Sequence, residues 1–100
     1  MKFSFEIVPR TEQAFDQQYD FVSTLGGSIS MINVPDIQRF SIRSWETGGK
    51  IDRSQYDFVP HFRATDFSLQ SGDIFRIIEE NQLDHVLLVS GDPPEGIKRA

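Results

Sequence analysis

Apolar and polar positions alternate from the start of the chain. Phe3, Phe5 and Ile7 interleave with Ser4, Glu6 and Val8, a period of two that predicts a strand stopping at Pro9. Thr11 then offers a helix N-cap, and Glu12 follows in the first turn, where the helix dipole favours an anion. Phe15, Tyr19, Val22 and Leu25 recur at helical spacing, and Gly26-Gly27 ends that helix with residues that accept positive φ. Residues 28–34 predict a second strand, broken by Pro35-Asp36. A poorer helical pattern runs from Ile37 to Glu46, closed by Gly48-Gly49, and a second helix is expected there. Tyr56 to Ala64 reads as a third strand with Pro60 inside it, a residue that cannot donate to a ladder. Thr65-Asp66-Phe67-Ser68 is a polar loop leading to a third helix over about residues 70–82, with Ile74, Ile77 and Ile78 inward. Leu83 to Ser90 is near-continuously apolar, the pattern of a strand covered on both faces.

The predicted order is β-α-β-α-β-α-β, an α/β plan of parallel β/α units joined by right-handed crossovers. Four such strands make either a small open sheet or the N-terminal half of a (β/α)₈ TIM-type barrel, within a single unit spanning residues 1–100. Both gather functional groups at the carboxyl ends of the strands. The groups so placed are Glu6 on the first strand, Asn33 and Asp36 at the second, His61 and Arg63 on the third, and Asp92 after the fourth. No Gly-x-Gly-x-x-Gly or phosphate-loop motif follows any strand, which removes the usual dinucleotide and nucleotide sites and leaves the barrel ahead.

Composition narrows the classes further. A chain of 100 residues with 38% hydrophobic content allows one modest core, and nine Phe imply a packed interior. The net charge of −5, with no cluster of Lys and Arg, argues against nucleic acid as a partner. With no cysteine there is no disulfide, thiolate metal site or Cys nucleophile, which fits a cytoplasmic location. The N-terminus lacks the apolar core of a signal peptide. No apolar run approaches the roughly 20 residues that cross a bilayer, so no membrane association is expected.

Three segments taken in order carry a family resemblance. They are Phe3-Ser4-Phe5-Glu6 with Pro9-Arg10-Thr11-Glu12, then Pro60-His61, then Leu88-Val89-Ser90-Gly91-Asp92-Pro93-Pro94. Together they resemble methylenetetrahydrofolate reductase, a flavin-containing (β/α)₈ barrel, over nearly the whole chain. The resemblance implies FAD as cofactor, NAD(P)H as reductant and a folate as substrate, with 5,10-methylenetetrahydrofolate reduced to 5-methyltetrahydrofolate. It implies Glu6 as the acid that protonates the folate and Asp92 as the carboxylate near flavin and pterin. His61 would contact the flavin, the Ser90-Gly91 backbone would lie along it, and Asn33 would fall near a strand-two flavin contact. Two departures stand out: Asn33-Val34-Pro35-Asp36 replaces a Gly-rich turn, and Arg63 stands where a small or polar residue is frequent. A complete barrel takes about 250 residues, so the chain is expected to be part of the enzyme.

Each candidate also has a plainer reading. Between Phe5 and Ile7, Glu6 would be desolvated and its pKa raised toward a useful acid; on a half-exposed strand it is merely solvated. Asp92 in Gly-Asp-Pro-Pro suits a tight turn as well as a site. His61 could be a core histidine satisfied by backbone. His85, at the amino end of the fourth strand, is expected to be structural or exposed, and Trp45 to pack under the second helix. The spacing of His61, His85 and Asp92 suits no metal, and no serine has a nucleophile-elbow context. Two other functions compete: a non-catalytic half-barrel that self-associates into a homo-oligomer through its strand edges, and a pterin-binding methyl-transfer barrel without flavin.

Overall fold

The computed structural model describes residues 2–37, 39–67 and 72–90. Strand β1 covers Phe3–Glu6, helix α1 Glu12–Ser23, strand β2 Ile29–Val34, strand β3 Asp57–Arg63, helix α2 Asp73–Glu80 and strand β4 Leu87–Val89. The four strands form one sheet in the order β1-β2-β3-β4, every pair parallel. The expected α/β plan of parallel units is therefore present, with neighbours in sequence also neighbours in space. Among the described residues strand order never reverses, so they form no switch point of the doubly wound kind.

Pairing register sorts the side chains onto two faces. Phe5, Ile32 and Phe58 are aligned across β1, β2 and β3, and Phe5 meets Phe21 of α1 with ring centroids 6.2 Å apart. This is the helix side. Its core includes Ile7, Phe15, Val22, Ile32, Val34, Phe58, Phe62 and Ile74. The opposite side carries Glu6, Asn33, Val59, His61 and Arg63.

Helix α1 begins as its sequence predicts, with Thr11 Oγ1 accepting from the Ala14 N–H at 3.0 Å. Gln18 of α1 fixes the exit of β1 from both sides. Its amide oxygen accepts from the Val8 N–H at 2.9 Å, and its amide nitrogen donates to the Val8 carbonyl at 3.0 Å. That pairing takes Val8 out of the ladder, so β1 ends at Glu6 rather than running to Pro9.

Pro60 sits inside β3 without breaking it. The β2 ladder covers Asp57–Pro60 and the β4 pairing begins at His61, so the missing donor falls where one ladder hands over to the next. In α2, Ile74 is buried and Ile77 and Ile78 are half-buried, as their spacing predicts.

Two further expectations fail. Among the described residues the helix over Ile37–Glu46 does not form; residues 39–43 are turn and irregular backbone, followed by a 3₁₀ segment over Ser44–Lys50. Asp36 accounts for this, because its carboxylate accepts from both the Arg43 side chain and the Ser44 N–H, a loop closure incompatible with a helix across the same residues. The fourth strand is also shorter than Leu83–Ser90. Leu83 instead closes α2, donating its N–H to the Ile78 carbonyl at 3.0 Å. Leu87 and Leu88 are 45% and 53% exposed, so β4 is not covered on both faces by the described residues.

Candidate functional site

Glu6 and Asn33 are register partners at the carboxyl ends of β1 and β2, and Ile7 N–H donates to the Asn33 carbonyl at 2.9 Å. Val59 is the partner of Asn33 on β3, and His61 stands two residues further on the same face. The His61 ring reaches back diagonally, with Nε2 3.3 Å from Asn33 Oδ1. In the tautomer protonated at Nε2, the imidazole donates to that oxygen. Three of the residues expected from the sequence thus share the face of the sheet opposite the helices.

The electrostatics of the three differ. His61 is half-buried, and burial holds its pKa below the ordinary 6.5 against the opposing pull of the Glu6 charge. At neutral pH the ring is an uncharged donor and acceptor. Glu6 is exposed, so the expectation of a desolvated acid is not met. Its strand is the last of the sheet on that side, and the described residues place no cover over it. Ser90 follows directly on the last residue of β4 and is exposed. Gly91 and Asp92 lie outside the described residues.

Asp36, Arg43, Ser44 and Asp66 form a cluster beside this face that sequence pattern understates. The Asp36 side chain is fully buried, and Arg43 Nε donates to its Oδ1 at 2.9 Å while Nη2 donates to Oδ2. Arg43 Nη2 also lies 3.4 Å from Asp66 Oδ2, and the guanidinium packs 4.5 Å from the centre of the Trp45 ring. Hydrogen bonding to Asp36 raises the Arg43 pKa further, so the guanidinium keeps its charge. Ser44 Oγ donates to the His61 carbonyl at 2.6 Å. Asp36 was legible as a strand-end carboxylate; Arg43 and Ser44 carried no signal, because the stretch around them reads as a weak helix.

Trp45 packs edge-on against Phe62, centroids 4.9 Å apart, on the helix side. His85 is exposed, as expected. An apolar cavity of about 290 Å³ between Ala64, Phe67, Ile74 and Leu88 also lies on the helix side, since Leu88 is the partner of Phe62. Among the described residues no group of three or more His, Cys, Asp or Glu side chains is placed to hold a metal ion. None of their helices is long and apolar enough to cross a membrane.

No family model, curated protein or solved structure matches the chain.

Proposed function

We propose that the chain is the N-terminal half of a (β/α)₈ barrel and that it serves a flavin-dependent reduction of 5,10-methylenetetrahydrofolate to 5-methyltetrahydrofolate. The observation that carries the reading is the shared placement of Glu6, Asn33 and His61 on the face opposite the helices, toward the carboxyl ends of consecutive parallel strands. In a (β/α)₈ barrel that face is the interior, and its carboxyl end is where substrates bind. The consecutive strand order supports the same plan.

The residues present suit a flavin. A neutral imidazole paired with a carboxamide offers uncharged donors and acceptors to the polar edge of an isoalloxazine. His61 and Asn33 would hold that edge, with the Ser90-Gly91 backbone along it. FAD, when bound, supplies hydride drawn from NAD(P)H. Glu6 would deliver a proton to the leaving nitrogen of the folate, and its exposure leaves it open to a substrate entering from solvent. Asp92 would act as the second carboxylate near flavin and pterin.

Titrating FAD into the purified chain tests the reading directly. Saturable binding with flavin absorbance retained through gel filtration is the expected result. Glu6→Gln should retain FAD and lose at least roughly a hundredfold in folate reduction, the usual contribution of a positioned acid. Normal turnover in that variant would remove Glu6 from the mechanism.

A second reading has its own observation. Leu87 and Leu88 on β4, Val86 just before it and Phe3 on β1 are exposed apolar side chains at the two outer strands. They favour a non-catalytic half-barrel that pairs with a second copy. A concentration-dependent dimer that takes up no FAD would select it.

A further inference from the structure

We infer that Ser44 and Asp36 are positioning residues for His61, so that the loop leaving β2 sets where the imidazole stands on the face opposite the helices. His61 is held at two points. Its ring meets Asn33 at 3.3 Å, and its carbonyl accepts the Ser44 hydroxyl at 2.6 Å. The second tether matters because of where it falls: His61 follows Pro60, beyond the last residue paired with β2. Past that point, among the described residues, β3 is paired only with the short and exposed β4.

Ser44 is itself fixed. Its N–H donates to Asp36 Oδ1 at 3.1 Å, and its carbonyl accepts the Thr47 hydroxyl at 2.8 Å. Ser44 and Thr47 are fully buried and Asp36 is 6% exposed, so water does not compete for these bonds. Arg43 neutralises Asp36 through a two-point contact. The chain of contacts thus runs from the buried Asp36 carboxylate, paired with a half-exposed Arg43, through Ser44 to the backbone of His61.

A serine with only a structural role would add stability and leave the imidazole untouched. A positioning serine sets how deeply the ring is buried, and therefore its protonation. The groups facing that ring are Glu6 from β1 and Asn33 from β2, with Arg63 two residues along β3 and the uncharged Leu87 across on β4. Releasing the carbonyl lets the ring move toward solvent and toward the ordinary histidine range. The consequence for cofactor affinity rests on the flavin reading; the effect on His61 does not.

The test is an NMR titration of the imidazole signals in the 100-residue chain, comparing wild type with Ser44→Ala and Ser44→Thr. The exposed His85 serves as internal reference. Ser44→Ala should move the His61 midpoint upward by about half a pH unit and leave His85 in place. Ser44→Thr, which keeps the hydroxyl, should return it. FAD titration of the same samples should show affinity lower by roughly tenfold in the alanine variant. A folded Ser44→Ala chain with an unchanged or lowered His61 midpoint overturns the inference. Wild type that takes up no FAD refutes the flavin reading alone, while the His61 midpoints still decide this one. Should the alanine variant not fold, Ser44→Cys keeps the volume with only a weak donor and provides the same comparison.

Discussion

Gly48 lies beneath the Arg53 guanidinium, and a Cβ added there would run into Arg53 Nη2 and stand 2.8 Å from Phe58 Cε2. Arg53 is not an idle surface side chain. Its Nη1 donates to the Gln82 carbonyl at 2.7 Å and its Nη2 to the Asn81 carbonyl at 3.3 Å, at the C-terminal end of α2, while the guanidinium packs 5.1 Å from the centre of the Phe58 ring. Gly48→Ala should therefore act by expelling Arg53 rather than by straining the backbone. A charged hydrogen bond to the helix end contributes about 1.5 kcal/mol at the low end suited to an exposed arginine, and the ring contact about 0.5 kcal/mol. The expected loss through Arg53 is about 2 kcal/mol, or roughly 10 °C in Tm for a domain of this size. Urea unfolding of wild type, Gly48→Ala, Arg53→Ala and the double variant measures it. In the Arg53→Ala background the part of the penalty owed to Arg53 should vanish, leaving only what the close approach to the Phe58 ring costs. Equal penalties in both backgrounds would refute the account and place the cost on Phe58 instead.

Two further outcomes follow from single residues. His61 has a folded pKa below its ordinary 6.5, so the unfolded chain binds more protons and stability rises with pH. That contribution is complete above about pH 6.5 and is lost as pH falls through the lowered folded value; urea midpoints from pH 5 to 8 should show this slope and His61→Gln should flatten it. Gln82 adopts φ 54° just past α2, the left-handed position that favours glycine, so Gln82→Gly should stabilise the chain by up to about 1 kcal/mol in the same assay.

The elements that the sequence disclosed are those whose period is set by burial. Phe15, Tyr19 and Val22 mark α1 because one face of that helix packs on the sheet, and Thr11 marks its start because an orphan N–H needs an acceptor. Ile32 and Val34 mark β2 in the same way. Legibility failed where side chains bond to backbone. Gln18 shortens β1 by satisfying Val8, and no periodicity encodes that exchange. β4 failed for a different reason: Val86, Leu87 and Leu88 form an apolar run that the described residues leave uncovered, and an apolar run alone does not distinguish a covered strand from an exposed one.

The segment from Pro35 to Lys50 links these failures to the site. Its weak helical period comes from a few apolar residues, Ile37, Phe40, Ile42 and Trp45, spread among polar ones. Its conformation is decided instead by Asp36, whose buried carboxylate needs more partners than a helix beginning there could supply. Arg43 and the Ser44 N–H meet that need only if the chain doubles back over the carboxyl end of the sheet. Once it does, the Ser44 hydroxyl lies against His61, and Trp45 lies against the reverse side of β3 through Phe62. The same loop therefore grips β3 from its backbone and from its helix-side face, one residue apart. The requirement of one buried charge thus shapes the loop, and the loop in turn fixes the strand that carries His61.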